Sequence, residues 1–370
     1  MALTITSEVE ALLTRLSRFE PCGAPVLSLY LNAQPDQRGR DHFKGFLKKE
    51  LQERVFAFKA PREVRESLEE DARRVEYFLR EEIQPAANGV ALFACGAANL
   101  FETLQTEAPI DTHALYLTPT PHVYPLALLS EQYPRYAVLI IDTNTARIVV
   151  FALNARVGEQ VVQSPKTART SGSGWSQMNY QRHVDHERLH HVKEVIERLD
   201  LVARTDKIDK IVLAGEERIL PVVRNHLSPA LSALVVDKLR IDVEAPEHEV
   251  LERTLESIRA QQLQSDRQIV AHAVDSHRAG GLAVVGLKPT RRALERGQVH
   301  VLLLSAQPQA PSDGTSPAQG ETAASGDISV EVADELLRRA RQTDAHVRLV
   351  EGPELLRGVG GVAALLRFRM

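Results

Sequence analysis

The residues best placed to do chemistry lie in one short run, Ser171-Gly172-Ser173-Gly174-Trp175-Ser176-Gln177, and in the Arg- and His-rich stretch that follows it to Lys193. Trp175 is the only tryptophan in the chain, and it sits beside glycines that free the backbone for tight turns and close approach to a ligand. A large aromatic in such a place has two readings. It can insert into a partner, where stacking on an exposed base is worth roughly 1–3 kcal/mol, or it can fold back as a local anchor on its own domain. The glycine–serine alternation has its own plain reading, a flexible connection.

Downstream, His183, His186, His190 and His191 fall within nine residues on one predicted helix, and His183, His186 and His190 lie near one face. Histidines one turn apart can share a metal, but no cysteine lies nearby. Beside Arg182, Arg188 and Lys193 the same face suits phosphate or ribose contact, or it is simply exposed polar surface. With Lys166 and Arg169 ahead of the glycines, we expect an RNA-binding set of Lys166, Arg169, Arg182, His183, His186, Arg188 and Lys193, with no metal and no cofactor.

The rest of the chain limits this reading. A formal net charge of -4 excludes a protein that coats nucleic acid through bulk positive charge, while leaving room for one basic tip. No run of 18 apolar residues suggests a membrane span. The N-terminus shows neither a charged leader nor an apolar run, so no signal peptide is expected and the location is read as cytoplasmic. Cys22 and Cys95 have no metal-ligand spacing and read as two reduced thiols.

Three blocks must position the tip, each alternating strands with helices, so the fold class is α/β with three α/β domains. In the first, 1–132, the apolar runs 26–31 and 89–94 predict buried strands, 100–106 a partner strand, and 41–58 and 61–82 helices. In the second, 133–268, strands 136–141 and 146–153 flank the polar turn 142–145. A tip loop, 163–178, and a basic helix, 179–199, follow; Lys210 to Gly215 is a strand leading into a helix at 218–226. In the third, 269–370, we expect a turn at 281–286, a helix at 289–296 and a strand at 299–304. The Ala-, Pro-, Ser- and Gly-rich stretch 306–326 is read as a disordered loop, and 328–343 and 346–350 as a helix and a strand.

Four motifs, in order along the chain, resemble the archaeal and eukaryotic class-1 peptide release factors and pelota. Asp111-Thr112-His113-Ala114-Leu115-Tyr116-Leu117 resembles the final strand of their N-terminal domain, and Lys210 to Gly215 their middle-domain strand ending in Leu-Ala-Gly. Pro289 to Val299 resembles their T-x-x-A-L-E-x-G-A-V passage, and Gly360-Gly361 before Leu366-Arg367-Phe368 their closing strand. The resemblance implies a release-factor-like N-terminal domain, an RNase H-like middle domain with a protruding tip loop, and a pelota-type α/β/α C-terminal sandwich.

The glycine-flanked run then falls where that family carries its Gly-Gly-Gln tip. Gly174 matches the second glycine, Ser176 the serine after the tip, and Arg182 and Arg188 two helix arginines. Ser173 stands in place of the first glycine and Trp175 in place of the glutamine. In the family the glutamine helps water attack the peptidyl-tRNA ester, whose developing oxyanion needs oriented N–H donors. Trp175 keeps a backbone N–H but lacks the amide, and Gln177 lies two residues on. Residues 32–60 hold nothing like the Asn-Ile-Lys-Ser decoding loop, and no cysteine lies near 116–122.

The resemblance therefore implies a tRNA-mimicking factor that enters the ribosomal A site without reading a stop codon. Its partners would be ribosomal RNA, peptidyl-tRNA and a translational GTPase, and its role would be rescue or hibernation. A codon-independent peptidyl-tRNA hydrolase using Ser173, Gly174, Trp175, Ser176 and Gln177 is the alternative.

Overall fold

The computed structural model describes residues 6–34, 43–163, 175–307 and 328–369, and within the helix that begins at Trp175 it describes side chains from His186 onward. Two compact units divide the chain, Leu3–Gln132 with Gln262–Met370, and Tyr133–Gln261. The expectation for 306–326 lies outside the described residues except at Ala306 and Gln307.

The first unit opens with α1 (Thr6–Ser17), β1 (Val26–Asn32), α2 (Phe43–Glu50), α3 (Arg62–Glu81), β2 (Gly89–Cys95), β3 (Leu100–Thr106), β4 (Ala114–Thr118) and α4 (Tyr124–Gln132). The strands form an antiparallel sheet in the order β3-β2-β1-β4. β1 and β2 are buried on both faces, which is why they read as unbroken apolar runs rather than alternating ones. On one face Leu27, Leu29, Leu31, Val90 and Leu92 meet Phe43 and Leu47 of α2 and Leu68, Val75 and Phe78 of α3. The single helix expected at 41–58 is an α-helix followed by one π-helical turn, Leu51–Val55. α1 and α4 were not foreseen.

The second unit holds β5 (Tyr136–Ile141), β6 (Thr145–Ala152), β7 (Ala155–Gln163), α5 (Trp175–Thr205), β8 (Ile211–Gly215), α6 (Leu220–His226), α7 (Pro229–Leu234), β9 (Val235–Leu239) and most of α8 (Glu247–Arg278). Its sheet runs β7-β6-β5-β8-β9, antiparallel through β7, β6 and β5 and parallel from β5 to β9. This is the RNase H-like arrangement. α5 covers one face with Val192, Val195, Leu199 and Val202 against Leu139, Ile148 and Leu213. α8 covers the other, with Val250 and Ile258 against Tyr136, Val138, Ile140 and Val212. The boundary expected at 268/269 falls inside α8.

Two local geometries fix this sheet. Leu153 and Asn154 both have positive φ, 47° and 64°, and Ala152 pairs with Ala155, so β6 and β7 join through a two-residue turn of the type that matches strand twist. Gly215 ends β8 at φ +134°, where an added Cβ would lie 1.9 Å from the Ile141 carbonyl oxygen. The glycine of the Leu-Ala-Gly motif is thus required by the close approach of two adjacent strand ends.

The chain then returns to the first unit with β10 (Ala283–Val285), α9 (Leu287–Glu295), β11 (Val299–Ser305), α10 (Val330–Gln342), β12 (His346–Val350), α11 (Pro353–Arg357) and β13 (Val362–Leu366). Their sheet is ordered β10-β13-β11-β12, with only β11 and β12 parallel. The 281–286 stretch, expected as a turn, contains β10, which pairs with β13; three residues are too few to show a period in sequence.

Within this unit α10 joins the two sheets. Asp334 Oδ1 accepts the backbone N–H groups of Val123, at 2.7 Å, and Tyr124, at 2.9 Å, so a carboxylate more than 200 residues away caps the start of α4. The Tyr124 hydroxyl donates to the Ser305 carbonyl of β11. Arg338 donates to Thr120 Oγ1 at 2.7 Å and to the Phe19 carbonyl at 3.1 Å, Gln342 donates to the Ser17 carbonyl, and Arg341 pairs with Glu10.

Two substitutions test these constraints. Asp334→Ala strands two buried N–H groups and should lower stability by about 3 kcal/mol in urea titrations, whereas Asp334→Asn keeps an acceptor and should recover at least half of that loss. Equal losses would contradict the capping role. Gly215→Ala forces the β5 and β8 ends apart and should lower stability by more than about 2 kcal/mol.

Candidate functional site

The tip and its helix belong to α5, whose 31 residues span about 46 Å. The helix begins at Trp175, four residues before the expected start at 179, and continues to Thr205, beyond the expected end at 199. Between Trp175 and Arg182 there is no glycine or proline, so nothing in the sequence stops the helix from propagating back to the last glycine. Trp175, Ser176 and Gln177 therefore occupy the first helical turn rather than the loop. Ser173, Gly174, Lys166 and Arg169 lie outside the described residues, and for Arg182 and His183 the backbone alone is described.

This placement has a chemical consequence. The first four N–H groups of a helix have no intrahelical acceptor, and the aligned peptide dipoles give that end a partial positive charge. The backbone N–H groups of Trp175, Ser176 and Gln177 thus belong to a helix N-terminus, the part of a helix best suited to an oxyanion or phosphate.

The other end of α5 is anchored. His191, Val192, Val195 and Leu199 are fully buried, and the His191 imidazole is hydrogen-bonded to the backbone of Thr145 at the start of β6. The preceding turn is itself fixed, since Asp142 Oδ1 accepts the N–H groups of Asn144 and Thr145, each at 2.7 Å. Of the histidines with described side chains, His191 faces the core while His186 and His190 are exposed, as is Lys193; Arg188 is half-buried. His186, His190 and Lys193 recur at four- and three-residue steps and so share one face. Among the described residues no group of three His, Cys, Asp or Glu side chains could hold a metal ion.

His191 is a residue whose role sequence reasoning missed. It counts among the four clustered histidines but not on the face shared by His183, His186 and His190, and its four-residue steps to Val195 and Leu199 place it on the apolar stripe.

A polar cleft of 670 Å³ opens beside the same anchor, lined by Asp142, Asn144, Thr145, Arg147, Gln163 and Glu244. Arg147 is already engaged by Glu159 and by the carbonyls of Val243 and Ala245. The cleft pairs two carboxylates with a committed cation, which does not suit a phosphate.

Burial lowers the His191 pKa from its usual value of 6.5, an effect only partly offset by the Thr145 backbone and by the Asp142 and Glu194 carboxylates. As pH falls through that value the unfolded chain takes up a proton that the folded chain resists, so the folded state loses stability. Thermal unfolding should therefore shift to lower temperature between pH 7.5 and about 5.5. His191→Gln, which keeps a donor, should flatten that slope, and an unchanged slope would remove His191 as its source.

Residues 121–259 match the family described as bacterial archaeo-eukaryotic release factor family 10. A pelota homologue of Pyrococcus furiosus is 23% identical over 254 residues, 66% of this chain and 64% of the relative, so the chain spans just under two thirds of that protein's length. Among solved structures, the archaeal translation termination factor aRF1 aligns over 99% of each chain at 19% identity, with a TM-score of 0.28. Archaeal Pelota, from a ribosome-bound structure with ABCE1, aligns over 98% of this chain and 94% of its own at 16% identity, with a TM-score of 0.43. In its middle region the chain is thus similar to the bacterial archaeo-eukaryotic release factors, and over two thirds of its length to pelota.

Proposed function

We propose that this protein is a cytosolic, ribosome-binding translation factor that enters the A site as a tRNA-shaped ligand without reading a stop codon. The observation that carries the reading is the position of Trp175. It stands where the family's hydrolytic glutamine would be, at the start of a helix that is held to the middle sheet from its midpoint, His191, which bonds to Thr145. In this reading three domains, 1–132, 133–268 and 269–370, divide the work, with the middle domain reaching the peptidyl transferase centre. Lys166, Arg169, Arg182, His183, His186, Arg188 and Lys193 contact ribosomal RNA along the arm, and a translational GTPase is the protein partner.

The chemistry of the tip favours occupancy over hydrolysis. An indole donates one hydrogen bond and accepts none, so it cannot position an attacking water as a side-chain amide does. It can stack on an unpaired base. That is the behaviour of a hibernation or rescue factor that holds the site. One observation favours the alternative, peptidyl-tRNA hydrolysis: the first-turn N–H groups of α5 and the nearby Gln177 could serve a developing oxyanion.

Sedimentation with ribosomes from stationary-phase cells, followed by incubation with ribosomes carrying labelled peptidyl-tRNA, separates these outcomes. The protein should sediment with 70S particles and release no more peptide than buffer. Trp175→Ala should weaken binding about tenfold, in line with the loss of one stacked base. Recovery only in the ribosome-free fraction would overturn the proposal, and release abolished by changes at Ser173, Trp175 and Gln177 would replace occupancy with hydrolysis.

A further inference from the structure

Two thiols that are 73 positions apart in sequence meet at one edge of the first sheet. Cys95 ends β2 and is buried, while Cys22, in the connection between α1 and β1, is exposed. Their Sγ atoms are 3.7 Å apart in a thiol–thiol hydrogen bond, and the Cys22 thiol also reaches the Ala24 carbonyl at 3.9 Å. Ala24, Val26 and Cys95 pack with Phe19, Val64 and Leu100 into a small apolar cluster around the pair. A disulfide bond needs the sulfur atoms only about 1.7 Å closer, a step within reach of an exposed connection.

We propose that Cys22 and Cys95 form a reversible intramolecular disulfide, written by exchange with a small-molecule disulfide that reaches Cys22. In the first step the Cys22 thiol loses its proton to water, and its thiolate attacks one sulfur of the external disulfide. The external S–S bond breaks, one small thiolate leaves, and a mixed disulfide remains on Cys22. In the second step the Cys95 thiol loses its proton and attacks Cys22 Sγ, forming the Cys22–Cys95 bond and expelling the second small thiolate. Two protein thiols are oxidised by two electrons, and one external disulfide is reduced to two thiols.

The two cysteines have unequal roles because their surroundings differ. Burial pushes the Cys95 thiol up to about 11, so it is a poor first nucleophile and acts only once Cys22 presents an activated sulfur beside it. The bond would lie close to the α10 joint. The connection that carries Cys22 also carries the Phe19 carbonyl that accepts from Arg338, and it follows directly on Ser17 of α1, whose carbonyl accepts from Gln342. At the other end, the N–H of Gly96, the residue after Cys95, donates to buried Asp71 on α3 at 2.8 Å. Oxidation would therefore tie the α1–β1 connection to β2 and, through it, steady the joint between the first and third sheets.

The full-length protein treated with oxidised glutathione should lose the mass of two hydrogen atoms and yield one linked Cys22–Cys95 peptide. Its melting temperature should rise by about 5 °C relative to the dithiothreitol-treated protein. Cys22→Ser should block the reaction. Cys95→Ser, or Cys95→Ala should the serine disturb folding, should instead stop at a stable glutathione adduct on Cys22. Wild-type protein that retains that adduct while Cys95 stays alkylatable only after unfolding would overturn the proposal, as would a disulfide found only between two chains.

Discussion

One buried carboxylate organises the larger unit. Asp334 is 6% exposed, and a charge so far from water is tolerated only where its oxygens are satisfied. Here the acceptor meets the two N–H groups that open α4, so the charge and the helix end cancel each other's desolvation. The Tyr30 hydroxyl is pushed well above its ordinary pKa by burial and then by Asp334, and Tyr116 by burial, Glu331 and Asp334. Arg338 is lowered by burial but held up by Asp334 and Glu335. The His122 ring, tilted against that of Tyr116 with centroids 3.9 Å apart, lies with its Nδ1 3.5 Å from Asp334, while its backbone accepts from Tyr30 and donates to Ser28. Apolar contact alone would let two sheets slide, whereas these directional bonds set one register.

The middle unit solves a different problem, which is to hold a long helix by one end. The apolar stripe of α5 and the His191–Thr145 bond fix it to the sheet, and the Gly215–Ile141 contact fixes the adjacent ends of the central strands β5 and β8. The helix can then carry Trp175 at a defined distance from its anchor, which is a requirement for any group that must reach into a partner.

Much of this was legible in the sequence, and the exceptions have physical reasons. β1, β2, β5, β8 and β11 are buried on both faces or centrally paired and so appear as short apolar runs between turn residues. β7 escaped because its turn is Leu153-Asn154 rather than Asn-Gly, and its exposed edge position dilutes the pattern. α8 buries Thr254 and Gln262 among its apolar contacts, which blurs its stripe, whereas α1 carried a readable one in Val9, Leu12, Leu13 and Leu16. The Asp334 cap, the Arg338 bridge and the Cys22–Cys95 pair rest on partners separated by 73 to 319 residues, and no local period encodes such contacts. At the site, the sequence pattern predicted the helix but placed its start four residues late, because the glycines drew the expected loop past Trp175.

The central claim is that a family delivery arm has kept its geometry and exchanged its hydrolytic side chain for one that stacks. Cryo-electron microscopy of the protein bound to ribosomes carrying peptidyl-tRNA tests it most directly. The account predicts α5 pointing into the peptidyl transferase centre, with the Trp175 indole against a nucleotide base near the tRNA 3′ end and the ester bond unbroken. Density that places Trp175 back on its own domain, or that shows the protein away from the A site, would contradict it.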